Sequence, residues 1–354
     1  MRKEGENVII NDTINKISII IPVRNEEDSI TNCLDSLTHQ NYFKANFEVI
    51  IIDDHSTDNT KNVINNYLKE SELDIRFYQL ENTFNKKEAL KYGIEKSTHK
   101  IIATTDADCI LPPNWLKNIT FQFNNKAEMV LGPVMFKNKT GLLAAFQLLD
   151  MLAIQGIEFG MLFYKKPILN NAANLSYLKE NFYAVGGFDR FNTPSGDDVF
   201  LLEKFIKNSK NVKGLLKEDF IVLTNQEHSF ADFLNQRLRW SSKTKYYANY
   251  WLLYFSTIVL IQNISLVFIY LGTLLVEKHK LIFIILLLCK WLIDFILLFL
   301  VASIFKRRRA LYYFIPVQIV YPIYILIVWI ASMVLTYEWK GRKFNGQQEK
   351  GYTF

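Results

Sequence analysis

The stretch Phe47-Glu-Val-Ile-Ile-Ile-Asp53-Asp54 decides the fold of this chain. A short apolar run rich in β-branched residues that ends in polar turn residues is typical of a buried strand. An amphipathic stretch follows at 57–70, and Ser56, Thr57 or Asp58 can cap the helix that it predicts. A buried strand followed by a helix is one unit of an α/β protein.

The same unit recurs on both sides of this stretch. The other apolar runs, and then the other amphipathic stretches, are Ile17–Val23, Ile75–Leu80, Lys100–Asp106 and Val130–Phe136, with 27–38, 86–97 and 113–124. This alternation predicts an α/β, Rossmann-type domain with a parallel, doubly wound sheet. Ligands of such sheets bind outside the carboxyl ends of the strands, so we expect Asp53 and Asp106 in one crevice.

The segment Thr105-Asp106-Ala-Asp108 is a candidate metal site. Two aspartates separated by one residue point the same way from an extended segment. Magnesium or manganese takes a few carboxylate oxygens and completes its coordination with water and phosphate oxygens. Such a cation neutralises the charge of a leaving diphosphate. The alternative is a solvated turn, but the apolar strand before the motif and Leu111-Pro-Pro-Asn-Trp115 after it favour a metal.

Two further motifs lie closer to the carboxyl terminus. Asp197 and Asp198 begin a helical run, where a carboxylate stabilises the helix dipole or acts as a general base toward an attacking hydroxyl. Gln236, Arg239 and Trp240 share one face of a predicted helix. Arg239 can hold a diphosphate, and Trp240 offers a flat surface to a sugar or a lipid-linked acceptor. An amphipathic interface helix is the alternative for this last motif.

The order of these motifs resembles that of the family 2 inverting glycosyltransferases, in the branch ending in Gln-x-x-Arg-Trp. That branch includes ceramide glucosyltransferases and processive polysaccharide synthases. The resemblance covers residues 17–245 and implies a GT-A-like domain, a divalent cation (magnesium or manganese), a nucleotide-sugar donor, most favourably a UDP-sugar, and a lipid or saccharide acceptor. It implies that Asp198 is the catalytic base. The remaining roles that it suggests are donor or nucleotide contacts for Pro22, Arg24, Glu26, Asp53, Asp54, Asp106 and Arg239, metal ligation for Asp106 and Asp108, and acceptor contacts for Asp197, Gln236 and Trp240. Lys86 and Lys87 stand where the family has a cation near the donor phosphate, or they form a solvated face.

Composition separates a catalytic domain at 17–245 from a membrane region. Of the 354 residues, 50% are hydrophobic and 21% are charged, and the apolar ones concentrate at 246–337. We predict about three transmembrane helices there, because each of three segments reaches the roughly 20 residues that cross a bilayer: 251–276, 281–305 and 313–336. The apolar stretch 142–163 is interrupted by polar residues, which predicts a helix lying at the membrane interface.

Charge and targeting features predict a multi-pass protein of the cell membrane with a cytoplasmic catalytic domain. The polar tail 1–16 lacks the apolar core of a signal peptide, and the basic run Lys306–Arg309 favours the cytoplasm. A third crossing would place the basic tail 338–354 outside, so either that tail is an exception or one segment is re-entrant. Lys290 and Asp294 lie within the second apolar segment, as a structural pair or as contacts to an acceptor head group.

The basic residues beside the apolar region and the spacing of the cysteines bear on which classes of function are excluded. The cluster Arg237, Arg239, Lys243 and Lys245 beside an apolar region predicts attraction to a membrane surface, and no nucleic-acid module is found. Three cysteines at unrelated spacings predict neither a disulfide framework nor a zinc site.

The alternatives are a processive polysaccharide synthase, a nucleotidyltransferase and a non-catalytic membrane scaffold that retains the fold. A polymer channel must shield a hydrated chain from lipid, and three helices enclose too little space for one. We therefore predict a single-sugar or short-product transferase acting on a membrane lipid.

Overall fold

The computed structural model describes residues 16–81, 83–189, 196–339 and 342–344. The predicted tails 1–16 and 338–354 thus fall almost wholly outside the described residues. Within them the chain forms an α/β domain followed by a region of long apolar helices, as the sequence predicts.

Seven strands form the central sheet in the order β3-β2-β1-β4-β7-β5-β8, and β6 pairs with β9 beside it. The strands are β1 Ile17–Val23, β2 Phe47–Asp53, β3 Ile75–Gln79, β4 Ile101–Thr104, β5 Met129–Leu131, β6 Val134–Phe136, β7 Leu175–Leu178, β8 Val212–Gly214, β9 Val222–Thr224 and the hairpin β10 Tyr337–Trp339 and β11 Arg342–Phe344. The first four strands pair in parallel, but β7 runs antiparallel to β4 and β5. The sheet is therefore mixed, and the prediction of a wholly parallel sheet was wrong in this strand.

Eleven α-helices are present in the described part of the chain. They are α1 Ile30–Thr38, α2 Thr60–Glu70, α3 Lys86–Lys96, α4 Trp115–Asn124, α5 Leu142–Phe163, α6 Lys179–Ala184, α7 Asp197–Lys207, α8 Phe230–Ser241, α9 Tyr250–Leu275, α10 Lys280–Ile304 and α11 Phe314–Val334. Asn59 occupies the cap position of α2 without a side-chain bond, and Asp58, one of the predicted capping residues, accepts the Thr60 N–H with its Oδ1 at 3.0 Å. This bond satisfies one of the free N–H groups at the helix start.

The apolar run Val130–Phe136, predicted as one strand, is divided into β5 and β6. Pro133 follows β5 and has no N–H to donate to a neighbouring strand. Gly132 is required beside it, because a Cβ there would lie 2.2 Å from the Asn174 Nδ2. The break lets β6 leave the central sheet and pair with β9, which directs the chain toward α5.

Alternating residues of the central strands fill the core on both faces of the sheet. Ile19 and Ile21 face α1 and α4, whereas Ile20 faces α3 and α7. Burying one isoleucine side chain fully contributes about 1.5–3 kcal/mol. On the second face, Gly93 lets α3 approach closely, because a Cβ there would lie 2.5 Å from Ile20 Cγ2.

Four helices are long and apolar enough to cross a membrane: Leu142–Phe163, Tyr250–Leu275, Glu277–Ile304 and Arg308–Val334. The first of these is α5, which lies between β6 and β7 in the chain. Because β7 returns to the sheet between β4 and β5, a single crossing by α5 would divide one sheet between two sides of a bilayer. The structure thus excludes a crossing by α5, and its place at the membrane interface stays a prediction.

Helix α11 begins and ends beside the α/β domain. Lys306, just before it, pairs with Glu218 at 2.5 Å. At its other end Ser241 Oγ donates to Ser332 Oγ at 3.2 Å, and β10 packs on α8. The chain therefore leaves the α/β domain along α9, returns to it along α10, and still lies beside it at the end of α11.

Candidate active site

One continuous cavity of about 1220 Å³ brings the sequence motifs together. Of the predicted site residues, those that line it are Pro22, Arg24, Glu26, Asp54, Asp106, Asp108, Asp197, Asp198, Gln236, Arg239 and Trp240. Only Asp53 among the predicted residues is not part of its wall. Segments more than 200 residues apart in the chain thus face one space at the carboxyl ends of the parallel strands.

The two acids that end β2 have different surroundings. Asp53 Oδ1 accepts the Ser56 N–H at 3.0 Å and Oδ2 accepts from the Gln79 side chain at 3.0 Å, so its carboxylate holds the loop after β2. Side chains alternate along a strand, and Asp54 faces the cavity instead. Arg24 reinforces this loop by donating to the carbonyls of Asp54 and His55 at 2.5 and 2.8 Å.

The Asp-Ala-Asp motif places two carboxylates on the cavity wall. Asp106 pairs with Lys86, and Asp108 Oδ2 accepts from Thr224 Oγ1 at 2.6 Å and from the Asn225 N–H at 3.3 Å. Burial lowers the pKa of Lys86, but the carboxylates of Asp106, Asp198 and Asp197 outweigh it and raise that pKa above its usual value. Lys86 therefore belongs to the site and is not part of a solvated face.

No group of three or more His, Cys, Asp or Glu side chains with metal-binding geometry occurs in the described ranges. Two carboxylates facing an open cavity still suit magnesium or manganese, because these ions keep positions for water and for phosphate oxygens of a ligand. The donor set therefore fits a cation that binds together with a diphosphate.

Asp197 and Asp198 begin α7 behind Gly196, whose φ of 88° is a left-handed conformation suited to glycine. Asp198 Oδ1 accepts the Val199 N–H at 2.9 Å and Oδ2 accepts the Ala172 N–H at 3.0 Å. Burial raises the pKa of Asp198. Burial and the charge of Asp198 together raise the pKa of Asp197 to about 7. Two adjacent carboxyls in one wall thus have perturbed acidities, as acid–base sites commonly do.

The predicted helix face of Gln236, Arg239 and Trp240 exists as α8. Ser229 caps it by accepting the Asp232 N–H at 3.1 Å. Gln236 is held by Glu227, to whose Oε1 its Nε2 donates at 2.7 Å. All three side chains line the cavity, so one helix presents an amide, a guanidinium and an indole to the same space.

Arg237 has a different role from the one its basic neighbours suggested. It is buried, and its Nε donates to Asp150 Oδ2 of α5 at 2.8 Å. Its guanidinium also lies 4.1 Å from the Trp240 ring centroid, and Tyr321 of α11 donates to Asp150 Oδ1 at 2.9 Å. Lys243 is likewise 1% exposed. For these two residues the prediction of a membrane-surface cluster was wrong, because they pack inside the domain.

Asp150 and Tyr321 are site residues that the sequence did not single out. Asp150 was one of several polar interruptions of an apolar stretch, and its spacing carries no motif. A buried acid on a mainly apolar helix needs a buried partner, which was the available signal, but the partner of Asp150 lies 87 positions away in the chain.

The cavity extends from the carboxylates into the apolar helical region. Its far end is lined by Asn263 of α9, by Lys290 and Asp294 of α10, and by Gln318 and Trp329 of α11. Lys290 and Asp294 pair with each other, as their spacing on one helix face predicts. A single space thus connects the acidic motifs to the interior of the apolar helices.

Comparison with known proteins agrees with the fold. Residues 18–181 match the family model of glycosyl transferase family 2, so this part of the chain is similar to the family 2 glycosyltransferases. A probable glycosyltransferase of Sulfolobus acidocaldarius is 29% identical over 64% of this chain and 49% of its own length. In Methanococcus voltae, dolichyl N-acetyl-alpha-D-glucosaminyl phosphate 3-beta-D-2,3-diacetamido-2,3-dideoxy-beta-D-glucuronosyltransferase is 27% identical over 76% of this chain and 88% of its own.

Among solved structures, the mannosyltransferase of Pyrobaculum calidifontis in complex with GDP-Man and Mn²⁺ aligns with a TM-score of 0.53 at 15% identity. The alignment covers 90% of this chain and 87% of that one, and it shows that the two share a fold. The chain spans about half of the Sulfolobus relative's length.

Proposed function

We propose that this protein is a membrane-bound, inverting glycosyltransferase that moves a sugar from a nucleotide-sugar donor, most favourably a UDP-sugar, to a hydroxyl of a membrane lipid. The single cavity that joins the acidic motifs to the apolar helices is the observation that carries the proposal. A water-soluble donor and a lipid acceptor have to meet, and this space is open to both kinds of group.

The donor end of the cavity lies over β1, β2 and β4. Asp54 and Glu26, which line it, suit hydrogen bonds from a nucleoside base and ribose, whereas Asp53 fixes the loop that carries Asp54. Arg239 and Lys86 bring positive charge to the same wall. A fixed guanidinium stabilises a diphosphate as negative charge grows on it.

Asp106 and Asp108 would hold a magnesium or manganese ion against the donor phosphates. When bound, that ion supplies charge neutralisation of the leaving nucleoside diphosphate. Lys86, paired with Asp106 in this structure, is then free to turn toward a phosphate oxygen. Its aliphatic chain is long enough to exchange one anionic partner for another without movement of α3.

Asp198 is the proposed general base. Its two oxygens each accept a backbone N–H, which fixes the carboxylate and leaves further lone pairs for the acceptor hydroxyl. As the acceptor oxygen attacks C1, the carboxylate takes its proton, and the bond from C1 to the phosphate oxygen breaks with its electron pair. One displacement on the face opposite the leaving group inverts the anomeric centre.

The acceptor enters through the apolar helices in this proposal. The cavity wall there combines apolar side chains of α5, α9 and α11 with Trp240 at the catalytic end. The name of the Methanococcus voltae relative specifies a dolichyl-linked substrate, which is consistent with a lipid acceptor here. In this proposal the apolar helices embed the protein in the membrane. The catalytic domain then lies on the cytoplasmic side, where nucleotide sugars are made.

Product size distinguishes this proposal from processive polymer synthesis, which remains the second enzymatic candidate for a cavity of this kind. The full chain is reconstituted in liposomes with Mn²⁺, lipid extract and radiolabelled UDP-glucose, UDP-N-acetylglucosamine or GDP-mannose. One organic-extractable species, with an anomeric configuration opposite to that of the donor, supports the proposal. A high-molecular-weight ladder supports the synthase. The absence of both donor binding and donor consumption supports a non-catalytic scaffold.

A further inference from the structure

A short segment, residues 224–227, begins at the end of β9 and binds both a candidate cation ligand and helix α5. We infer that this connecting segment positions Asp108 for the divalent cation, and that Gln147 of α5 positions the segment in turn. The inference rests on the proposed function, because it concerns the cation that the proposal assigns to Asp106 and Asp108. It makes Thr224 and Gln147 positioning residues, which act on the cation through Asp108 without touching it.

The first link joins the connecting segment to Asp108. Thr224 Oγ1 donates to Asp108 Oδ2 at 2.6 Å, and the Asn225 N–H donates to the same oxygen at 3.3 Å. Among the described residues, Oδ1 receives only the weak S–H donor of Cys109, at 3.7 Å, so this oxygen is available to a cation. Loss of a hydrogen bond that orients a metal ligand typically lowers metal affinity about 10–100-fold. Cation affinity should therefore depend on where the connecting segment holds Thr224.

The second link joins the connecting segment to α5. Gln147 Nε2 donates to the Glu227 carbonyl at 3.0 Å, and the Glu227 N–H donates to Gln147 Oε1 at 2.9 Å. One amide thus satisfies both backbone groups of one residue, as a paired residue does in an antiparallel sheet, and this fixes the position of Glu227. Gln226 adds a third bond, from its Nε2 to the Ala144 carbonyl at 2.8 Å. The connecting segment is therefore anchored to Asp108 at its start and to α5 at its end.

Gln147 acts on the site only through this segment. It is fully buried and is not part of the cavity wall. A buried amide on a mainly apolar helix costs free energy unless its polar atoms are bonded, and both polar atoms of Gln147 are used on Glu227. Glu227 Oε1 also accepts from Gln236 of α8 at 2.7 Å. A shift of the Glu227 backbone would thus disturb both the cation ligand and the helix that carries Gln236.

Nucleotide binding at a series of Mn²⁺ concentrations tests the inference without requiring turnover. Radiolabelled UDP and GDP are bound to the detergent-solubilised full chain, and the measured quantity is the Mn²⁺ concentration for half-maximal binding. Thr224→Val keeps the shape of the side chain and removes the hydroxyl, and we expect it to raise this concentration at least about tenfold. Gln147→Met acts through one further link and should raise it at least about threefold. The double variant should raise it by less than the product of the two single effects, because both act through the same segment.

Two control variants separate positioning from a general loss of stability. Thr224→Ser keeps the hydroxyl and should need a Mn²⁺ concentration within about twofold of the wild-type one. Thr120→Val makes the same chemical change as Thr224→Val at a buried threonine of α4, whose hydroxyl donates to the Leu116 carbonyl of its own helix. It should leave the Mn²⁺ requirement unchanged.

The results separate failure of this inference from failure of the proposed function. A wild-type Mn²⁺ requirement in Thr224→Val or in Gln147→Met overturns the inference, as does an equal increase in Thr120→Val or a double variant whose effect is the full product of the single ones. Nucleotide binding that does not depend on Mn²⁺ overturns the inference and leaves the sugar transfer of the proposed function standing. The absence of binding of either nucleotide at any Mn²⁺ concentration overturns both.

Discussion

The carboxylate of Asp150 and the guanidinium of Arg237 form a buried ion pair with a closest distance of 2.7 Å. This pair joins α5 to α8, the helix that also presents Gln236 and Trp240 to the cavity. Gln236 Oε1 accepts from Arg237 Nη1 at 2.6 Å, and Trp240 packs on the same guanidinium. The ion pair therefore fixes two of the cavity's lining side chains relative to the apolar helices.

Removing one partner of this pair should destabilise the protein and inactivate it. Asp150→Leu leaves a buried guanidinium without its counter-charge, which costs about 3–5 kcal/mol. The midpoint of thermal unfolding in detergent measures this loss. Glu277→Leu, which breaks the exposed pair with Lys280, serves as the control and should leave the midpoint unchanged.

A double variant separates stability from positioning. Replacing a buried ion pair by apolar residues of similar volume is often neutral or stabilising. The double variant Asp150→Leu with Arg237→Met should therefore unfold at a midpoint temperature close to that of wild type. It should not regain activity, because Gln236 and Trp240 lose the group that orients them. Wild-type activity in the double variant would mean that the pair serves folding alone.

The affinity of the cation site for Mn²⁺ should depend on the negative charge of Asp108. Asp108→Asn keeps an oxygen for the donors Thr224 and Asn225 but removes the negative charge that a divalent ion prefers. The Mn²⁺ concentration for half-maximal transfer is expected to rise at least about tenfold, or about 1.4 kcal/mol. Asp74→Asn, at an exposed position, is the matched control, and an unchanged manganese titration in Asp108→Asn would remove this residue from the cation site.

Asp197 should make the stability of the protein decrease with rising pH. Its pKa is about 7 in the folded chain and about 3.9 in an unfolded one, so the folded state binds the proton more tightly. Its stabilising contribution is complete below about pH 4 and is lost as the pH rises through 7. Thermal unfolding of wild type and Asp197→Asn between pH 5 and about pH 8.5 should show the variant gaining relative stability as the pH rises. Parallel profiles would contradict the assignment.

The path of α11 predicts the side on which each loop lies. Cysteines at Arg309 and Thr336 should react with an impermeant maleimide from the same side of sealed vesicles, and one at Lys278 from the other side. The background replaces Cys289, the exposed cysteine, with alanine; Cys33 and Cys109 are buried. Labelling of positions 309 and 336 from opposite sides would show that α11 crosses the membrane.

Periodicity sufficed for the elements with strong local signals. β1 and β2 have the bounds predicted from their apolar runs, and α5 spans the predicted 142–163. β7 was missed because Leu175–Leu178 is a run of only four residues whose partners lie elsewhere in the chain. The Gly132-Pro133 pair was a local signal for the division of Val130–Phe136, whereas the packing of Gly132 against Asn174 is a contact that local sequence does not contain.

The candidate site shows the same limit. Short-range geometry placed Gln236, Arg239 and Trp240 on one face, and they line one cavity. Gln79 of the neighbouring strand donates to Asp53 and holds it in the loop. Asp54 is therefore the acid that faces the cavity, and the spacing of the two acids does not predict this. The choice between a solvated and a site role for Lys86 likewise depended on Asp106, 20 positions away. Partners distant in the chain decide roles that spacing leaves open.

Comparing Asp198→Asn with wild type tests the central claim most directly, because asparagine keeps the size of the side chain and one oxygen that can accept either the Ala172 or the Val199 N–H. The measurement is transfer of labelled sugar to organic-extractable lipid in proteoliposomes with Mn²⁺, with donor affinity measured in parallel. We predict that the variant binds the donor as wild type does but transfers sugar about 10²–10⁴-fold more slowly, as expected for loss of a general base. Transfer by Asp198→Asn at the wild-type rate would contradict the account.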